Sequence, residues 1–296
     1  MNSKSIFLSM ALILSACSSM PVSHWSTARE QKVNPIKPIK LAVIFGGGGI
    51  KGYAHIGAIK ALEEVGLQPE FIAGTSIGSL VGAMWADGFT ADQIFQTSLE
   101  IEKDSPFDWV FFTSGGWIKG EKYEASIRKH LKEKKIEDFK IPFVAVGAHL
   151  ESGNAIEFNF GDAAQSIRAS CSMPGIFLPA LIDGQNYVDG DAVSPVPVES
   201  AIDRKAQIIF AVDISEDLLP HTKKSSSDIV ERSNEIRRKI LIKKELKLAS
   251  FFVRPFENFK MNYDEIPERQ KMVDLGYRET KKIIPQIIAA LSAKSH

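Results

Sequence analysis

The chain has 296 residues, a mass of 32.7 kDa and a formal net charge of zero, with 36 basic and 36 acidic side chains. This length suits one large domain or two small ones with a sizeable core. The balanced charge gives no global field that attracts nucleic acid, and 44% hydrophobic with 24% charged residues is the composition of a globular protein rather than a disordered one. Beyond the N-terminal segment, no apolar run reaches the roughly 18 residues that cross a bilayer.

The first 17 residues have the pattern of an export signal. Lys4 supplies a positive charge, residues 6–14 form an apolar stretch too short for a stable span, and L-S-A-C follows at residues 14–17. These last four residues resemble a bacterial lipobox, which implies a signal peptide over residues 1–16 and a lipidated Cys17. Ser18 comes next, and the lipoprotein sorting pattern then implies the cell envelope, with the chain anchored in the outer membrane and facing the periplasm. The alternative is a generic secretory signal with a coincidental cysteine.

Residues 17–39 are expected to form a lipidated N-terminus and a flexible tether. The segment is polar, contains Pro21, Pro35 and Pro38, and has neither a helical nor a strand period. Once Cys17 is acylated, Cys171 is the one remaining cysteine, so no intrachain disulfide can form. The folded domain is expected over residues 40–296, with a core at about 41–214 and a helical extension at about 228–296.

The folded domain begins with a short aliphatic strand over residues 40–45, which runs into G-G-G-G-I-K-G at residues 46–52. Apolar residues at helical spacing predict a helix over residues 53–65. A glycine-rich turn before a helix presents bare N–H groups and a partial positive charge, so it is suited to hold an anion. The spacing of Gly47, Gly49 and Gly52 also fits a dinucleotide fingerprint, whereas the G-K-[S/T] ending of a P-loop is absent.

A second strand-turn-helix unit follows over residues 71–87, and its turn reads G-T-S-I-G at residues 74–78. This is the pattern of a nucleophile elbow, in which Ser76 is presented on a sharp turn above a helix N-terminus. Gly74 and Gly78 fit the pattern because side chains there would collide across the turn. If the two strands are neighbours, the amides of the glycine loop lie beside Ser76 and can serve as an oxyanion hole, which disfavours nucleotide binding.

The middle of the chain is less informative. It contains an aromatic segment, which either packs its rings into the core or forms a mobile apolar wall or lid at an acyl-chain entrance. The segment consists of Phe107, Trp109, Phe111, Phe112 and then Trp117, which is flanked by Gly115, Gly116 and Gly120. A helix is predicted over residues 121–131, a buried strand over 143–150, and a helix over 161–170.

The C-terminal part carries the clearest evidence for fold class. Residues 206–214 are aliphatic without alternation, as in strands of a parallel sheet that is covered on both faces, so an α/β fold is expected. A strongly basic helix over residues 228–248 has either a solvated outer face or a face that lies on an anionic membrane. A last helix over residues 266–291 closes the domain.

Residues 47–57 and 74–78 together resemble the patatin-like phospholipases, whose pattern is G-G-G-x-[R/K]-G, then G-x-S-x-G, then a distant D-G-[G/A]. The third element is present as V-D-G-D at residues 188–191. Residues 167–177 and 194–197 resemble the family's R-A-S-x-x-x-P-G-x-F and N-P-[L/I/V]-P stretches. The resemblance runs from about Leu41 to the C-terminal helix. It implies a three-layer α/β/α sandwich with a mostly parallel central sheet.

The resemblance implies a Ser76–Asp189 catalytic dyad, in which burial makes Asp189 basic enough to take the serine proton. It places the oxyanion hole at Gly47, Gly48 and Gly49. Lys51 steadies that loop or meets a lipid phosphate, and the remaining supporting positions are Gly52, Gly74, Gly78 and Gly190.

Two features bear on the identity of the base. Asp191 departs from the family's Gly or Ala, and this second carboxylate either raises the pKa of Asp189 or points to solvent. The alternative to a dyad is a triad with His221, which preserves the Ser-Asp-His order of α/β hydrolases. The rival Asp-Gly pair at Asp183 is interpreted as a hairpin turn.

We therefore expect a serine acyl-ester hydrolase for phospholipids or lysophospholipids, attached to the membrane through Cys17. No cofactor, nucleotide or nucleic-acid partner is expected. No metal site is expected either, since H-E-x-x-H is absent and the cysteines do not cluster. The alternatives are a soluble-ester or thioester hydrolase of the same fold, and a non-catalytic lipid-binding lipoprotein of the envelope.

Overall fold

The computed structural model describes residues 39–104, 108, 110, 116–218, 225–257 and 268–294, together with the backbone of residues 25–27. These residues form nine β-strands: β1 (Trp25–Thr27), β2 (Leu41–Phe45), β3 (Phe71–Thr75), β4 (Phe143–His149), β5 (Ala155–Phe158), β6 (Ala180–Ile182), β7 (Gln185–Asp189), β8 (Ile208–Val212) and β9 (Phe251–Val253). The same part of the chain forms eight α-helices: α1 (Tyr53–Glu63), α2 (Ile77–Asp87), α3 (Ala91–Asp104), α4 (Glu121–His130), α5 (Ala163–Ser170), α6 (Glu199–Asp203), α7 (Ser226–Leu246) and α8 (Arg269–Ala293).

The described strands form one sheet in the order β1-β5-β4-β3-β2-β8-β9, and the β6–β7 hairpin joins it through β4. From β4 through β3, β2 and β8 to β9, every neighbouring pair is parallel. Both β5 and β7 run antiparallel to β4. The mostly parallel sheet expected from the sequence is confirmed.

Successive residues of β2 face opposite layers of helices. Leu41, Val43 and Phe45 belong to a large core that includes residues of α1, α2, α3 and α8. Ala42 and Ile44 belong to a smaller core completed by α6 and α7. Because helices cover both faces, the central strands are apolar at every position rather than at alternate ones. The molecule is a three-layer α/β/α sandwich, as expected.

The larger helix layer depends on a close crossing between α1 and α8. A side chain at Gly57 of α1 would collide with the carbonyl oxygen of Val273, and one at Gly276 of α8 would collide with that of Ala54. Each glycine costs about 1 kcal/mol of helix propensity relative to alanine, which the close packing of the two helices offsets. The observed α8 begins and ends slightly later than the predicted helix over residues 266–291.

Two local features bear on the sequence predictions. The turn between β6 and β7 holds Asp183 at φ 50° and Gly184 at φ 77°, as in a type I′ hairpin, so the interpretation of Asp183 as a turn residue is confirmed. The strand β1 is a difference, since the sequence has no strand period before residue 40. It is the edge strand and pairs in parallel with β5, whose outer backbone N–H and C=O groups would otherwise be left open to an added strand.

None of the helices in the described residues combines the length and the apolar character that a membrane span requires.

Candidate active site

Ser76 lies on a sharp turn between β3 and α2. Its backbone has φ 53° and ψ −129°, a conformation that costs roughly 1–3 kcal/mol for a residue with a side chain. The turn is closed by two glycines: a side chain at Gly74 would collide with the carbonyl of Gly78, and one at Gly78 with the carbonyl of Phe45. The nucleophile elbow predicted from residues 74–78 is therefore present, with Ser76 only 6% exposed.

Strand β4 aligns Ser76 with Asp189. Thr75, the last residue of β3, pairs with Val146 of β4, and Asp189, the last residue of β7, pairs with the next residue, Gly147. This register brings the two predicted catalytic residues together, and Ser76 Oγ donates a hydrogen bond to Asp189 Oδ2 over 2.7 Å. In the described part of the chain, no other side chain bonds to Ser76 Oγ.

The Asp189 carboxylate is nearly completely buried, with 2% exposure. Burial, and after it the nearby Asp191 carboxylate, raise its pKa, whereas hydrogen bonds from Ser76 Oγ and Asp191 N–H and the Arg238 charge lower it; the net result is a pKa of about 7. A carboxylate of this basicity can accept the proton of a serine hydroxyl near neutral pH. Asp191 was expected either to raise the pKa of Asp189 or to point to solvent, and the structure supports the first alternative.

The glycine loop lies beside Ser76 because β2 and β3 are neighbours in the sheet. The N–H of Gly47 is already committed, since it donates to the carbonyl of Pro195 over 2.9 Å. The prediction that Gly47 is an oxyanion donor is therefore wrong. Its role is to leave room for the Asp191 carboxylate, since a Cβ at Gly47 would lie 2.5 Å from Asp191 Oδ1. No described residue accepts a hydrogen bond from the N–H of Gly48 or Gly49. These two amides remain available for an oxyanion.

Two side chains of the same loop-helix unit hold the glycine loop in place. His55 is fully buried, and its Nε2 donates to the carbonyl of Gly46 over 2.8 Å. Burial lowers the pKa of His55 to about 4, so the ring is neutral and acts as a structural donor. Lys51 Nζ pairs with Glu216 Oε1 at 3.0 Å, which supports the prediction that it steadies the loop. Gly52 leaves room for the side chain of Ile77.

The remaining predicted positions are accounted for as follows. A side chain at Gly190 would collide with the carbonyl of Val146, so this glycine lets the turn after Asp189 approach β4. Cys17 and His221 lie outside the described residues, as do the aromatic residues 107, 109, 111 and 112. Trp117, the described member of that aromatic segment, is 59% exposed, so its ring is not packed into the core.

Some residues that support the site are not predicted from the sequence. Ser170 is fully buried and bridges the elbow to the sheet, since its Oγ accepts from Ser76 N–H at 2.9 Å and donates to the carbonyl of Val146 at 2.6 Å. Arg168 is buried and donates to the carbonyls of Lys119 and Leu178 over 2.7 and 2.9 Å. Both residues belong to the R-A-S motif of residues 168–170. The family resemblance includes this motif, but the sequence alone assigns neither residue a role in the site.

A second unpredicted contribution comes from the inward face of α7. Arg238 donates to Asp191 Oδ2 over 2.5 Å and to the carbonyl of Gly47 over 2.8 Å. Glu245 accepts from Ser194 Oγ at 2.5 Å and from Val196 N–H at 2.9 Å, and burial raises its pKa to about 8. The only sequence signal for these contacts was the run of charges, which does not distinguish inward from outward residues.

A cavity of about 570 Å³ opens beside the elbow, within the range of roughly 300–1,000 Å³ usual for ligand pockets. It starts at Gly49 and Ile77, next to the oxyanion loop and the nucleophile. Its walls are mainly apolar side chains from α1, α2, α3 and the segment around residue 118; they include Ile56, Leu80, Val81, Ile101, Ile118 and Phe177. Such a cavity is suited to a hydrocarbon chain whose carbonyl lies at Ser76. Within the described residues, no group of three His, Cys, Asp or Glu side chains has metal-binding geometry.

Comparison with known proteins points in the same direction. The family model described as patatin-like phospholipase matches residues 43–202, which contain Ser76, Asp189 and the whole glycine loop. Lysophospholipase NTE1 of Saccharomyces cerevisiae is 32% identical over 179 residues, which are 59% of this chain and 11% of that protein. Patatin-like phospholipase domain-containing protein 6 of Homo sapiens is 30% identical over 182 residues, or 59% of this chain and 13% of that protein.

A shorter relative and one solved structure extend the comparison. An uncharacterized NTE family protein of Mycobacterium tuberculosis is 31% identical over 178 residues, which are 60% of this chain and 49% of that protein. The chain thus spans less than half the length of each of these three relatives. The crystal structure of VipD from Legionella pneumophila matches with a TM-score of 0.54 over 84% of this chain and 67% of that one, at 14% identity. That likeness concerns the fold alone.

Proposed function

From the premise that this chain belongs to the patatin-like phospholipase family, we propose that it is a serine hydrolase that cleaves acyl esters of phospholipids or lysophospholipids. The observation that carries the proposal is the 2.7 Å hydrogen bond from Ser76 Oγ to the buried Asp189 carboxylate, beside two uncommitted glycine amides. An apolar cavity adjoins these groups, as an acyl substrate requires.

In the first half of the reaction, Ser76 Oγ attacks the ester carbonyl carbon while Asp189 Oδ2 takes the hydroxyl proton. The carbonyl oxygen becomes an oxyanion and receives hydrogen bonds from the N–H groups of Gly48 and Gly49. A well-placed donor of this kind contributes roughly 3–4 kcal/mol to the transition state. Asp189 then returns the proton to the departing alcohol oxygen as the ester C–O bond breaks, which leaves the acyl group on Ser76.

In the second half, a water molecule takes the place of the alcohol. Asp189 removes a proton from it, the resulting hydroxide attacks the acyl carbonyl, and the same two amides stabilise the second oxyanion. Collapse of this intermediate breaks the bond to Ser76 Oγ, which regains the proton from Asp189. A free fatty acid leaves the cavity, and the Ser76–Asp189 hydrogen bond is restored.

The choice among lipid esters rests on the cavity and on the relatives. The apolar walls favour a long acyl chain over the short chains of soluble esters. The yeast relative is named a lysophospholipase, and the human one a patatin-like phospholipase domain-containing protein. We therefore rank phospholipids and lysophospholipids above thioesters and soluble esters of the same fold class.

We also propose that the mature protein begins at Cys17, which is lipidated, and that it is anchored in the outer membrane and faces the periplasm. The supporting observation is the L-S-A-C sequence after the apolar segment of residues 6–14, with Ser18 behind it. Metabolic labelling with an alkyne fatty acid tests this proposal. Wild type should take up the label and fractionate with outer membranes, whereas Cys17→Ser should remain unlabelled and unprocessed. A wild-type chain without label would contradict it.

The hydrolase proposal is tested by turnover of three substrates by wild type and Ser76→Ala: a phospholipid, the matching lysophospholipid and a short-chain ester. Wild type should release fatty acid from at least one lipid faster than it cleaves the short ester, and Ser76→Ala should release none from any. A preference for the short ester would favour the soluble-ester alternative. A folded wild type that hydrolyses nothing and resists fluorophosphonate labelling would favour the non-catalytic lipid-binding alternative.

A further inference from the structure

The two faces of α7 differ in what their side chains contact. Its inward face carries Arg238, which reaches Asp191 and Gly47, and the buried Glu245, which reaches Ser194 and Val196. Of its acidic residues, Glu245 is buried, Asp228 caps the helix N-terminus, and Glu231 and Glu235 keep contact with solvent, Glu235 while paired with Arg232. At about 100° per residue, all four lie on the sides of the helix away from Ile229 and Ile236, so they place no negative charge beside those two residues.

The outward face presents aliphatic side chains to solvent. Ile229 is 56% exposed, Val230 60%, Ile236 43% and Ile240 64%. The three isoleucines are spaced by seven and four residues, so they form one stripe along the helix. An ordinary solvated helix face is charged or polar, and isolated exposed apolar residues on it are common. The three isoleucines, with Ser233 between the first two, form a largely apolar face over three helical turns that has no protein partner among the described residues.

Cations flank this stripe. Arg237, Lys243, Lys244 and Lys247 are all exposed on the outer side of α7 or in the turn that follows it. Aliphatic residues bordered by lysine and arginine are the pattern of a helix that lies in the interface of a bilayer, with its apolar side chains among the upper acyl chains and its cations at the headgroups. The basic charge also selects the ligand, because an anionic surface complements it.

We propose that the outer face of α7 docks on an anionic phospholipid bilayer; this outer face consists of Ile229, Val230, Ile236, Arg237, Ile240, Lys243, Lys244 and Lys247. The use of such docking rests on the proposed lipid hydrolysis, whereas the evidence for the docking is the surface of α7 alone. Of the two roles that the sequence analysis leaves open for this helix, the proposal takes the membrane-facing one.

Docking through α7 would hold the catalytic loops close to the lipid surface. Arg238, on the opposite side of the same helix, donates to the carbonyl of Gly47. Lys239 Nζ donates to the carbonyl of Glu216 over 2.8 Å, and the Glu216 carboxylate pairs with Lys51 at 3.0 Å. Lys51 follows Ile50, a cavity residue that is itself 37% exposed. A continuous set of polar contacts thus connects the docking helix to the rim of the acyl cavity.

The test measures binding of the full-length chain to sedimented vesicles of diether phosphatidylcholine, alone or with an equal amount of diether phosphatidylglycerol. The ether lipids have no acyl ester to cleave, and Cys17→Ser in every sample removes the acylation site. Two double variants change the outer face of α7: Ile236→Ser with Ile240→Ser, and Lys243→Glu with Lys244→Glu. The matched control changes an exposed isoleucine and an exposed lysine of α8, Ile288→Ser with Lys271→Glu.

The parent and the α8 control should bind phosphatidylglycerol vesicles, and each α7 variant should bind roughly tenfold or more weakly. Added salt should weaken binding of the parent, because part of the attraction is electrostatic. Equal binding by all variants, an equal loss in the α8 control, or binding of the parent to neither vesicle would overturn the proposal. Cleavage of a soluble short-chain ester, followed in parallel, should be the same in all four proteins. Its absence in the parent would contradict the hydrolase proposal without affecting the vesicle result.

Discussion

Arg238 Nε lies 2.5 Å from Asp191 Oδ2, and the same guanidinium donates to the carbonyl of Gly47. One side chain of α7 thereby joins the turn that carries the base to the loop that carries the oxyanion donors. Asp191 stands where the patatin-like pattern has Gly or Ala, and Arg238 supplies the countercharge for this extra carboxylate. The two residues act on Asp189 in opposite directions, since Asp191 raises its pKa and Arg238 lowers it.

The first prediction concerns Arg238→Met, which keeps much of the apolar stem and removes the charge. The pKa of Asp189 should rise, so the acidic limb of the kcat/KM profile should move to higher pH by about one unit. Arg237→Met is the matched control. Arg237 is the next residue along the helix, but its guanidinium is exposed and donates to Asn234 of the same helix rather than to the site. A shifted profile in both variants, or in neither, would contradict the role given to Arg238.

The second prediction concerns Asp191→Gly, which restores the residue usual in the family. Loss of the neighbouring negative charge should lower the pKa of Asp189, so the acidic limb should move to lower pH by about one unit. The profile is measured with a short soluble ester, which avoids any pH effect on membrane binding. The double variant with Arg238→Met should return toward wild type, and an Asp191→Gly profile displaced to higher pH would refute this account of the pair.

The sequence predicted those parts of the site that depend on local chain geometry. The elbow at residues 74–78 and the glycine loop are turns whose glycines are required within a few residues of the turn itself, so they can be recognised in one stretch. The Ser76–Asp189 contact was inferred only through the family resemblance. Its physical cause is the register of β4 against both β3 and β7, which no local pattern encodes.

Three features could not be predicted for a related reason. The Gly47 amide is committed to Pro195, a residue more than a hundred positions away, so sequence could not distinguish it from Gly48 and Gly49. Arg238 is one of seven cations in the basic helix predicted over residues 228–248, and only the packing of α7 on the sheet decides that it faces inward. The edge strand β1 is only three residues long, too short for a strand period to be recognised in the sequence.

The third prediction uses two glycines in the same conformation. Gly49 has φ +58° and Gly66 has φ +68°, and a Cβ at either would meet no atom within 4 Å. Alanine at both positions should therefore destabilise the fold similarly, by about 1 kcal/mol. Only Gly49→Ala should lower kcat, by roughly tenfold or more. Alanine would relax toward a more favourable φ, and this change would turn the N–H of residue 49 away from the oxyanion. Thermal unfolding and kcat are measured on both, and equal kcat values would contradict the placement of the oxyanion hole.

The fourth prediction concerns the cavity. Val81 is buried and lines the cavity, so Val81→Phe should fill space intended for an acyl chain. Turnover of long-chain lipids should fall by roughly tenfold while short-chain esters are cleaved nearly as before. Val65→Phe, at a residue 40% exposed on the surface, is the control and should leave the chain-length profile unchanged. A uniform loss across all chain lengths in Val81→Phe would instead indicate damage to the fold.

The fifth prediction links the base to stability. The pKa of Asp189 is raised from 3.8 to about 7, so between these values the folded state keeps a proton that the unfolded state has released. The contribution of Asp189 to the free energy of unfolding therefore falls as pH rises from about 4 to about 7. Asp189→Asn removes the buried charge and should be more stable than wild type by on the order of 1 kcal/mol at about pH 8, with little difference near pH 4. Urea unfolding at both pH values checks this, and a less stable variant at the higher pH would contradict the desolvated base.

The central claim is that Asp189, and no histidine, is the base for Ser76. The most direct measurement is the rate at which a fluorophosphonate labels Ser76 in wild type, Asp189→Asn and His221→Ala, with circular dichroism as the check on folding. The dyad predicts that Asp189→Asn labels at least about a thousandfold more slowly, while His221→Ala labels at the wild-type rate. A folded His221→Ala protein that loses labelling as completely as Asp189→Asn would replace the dyad with a triad.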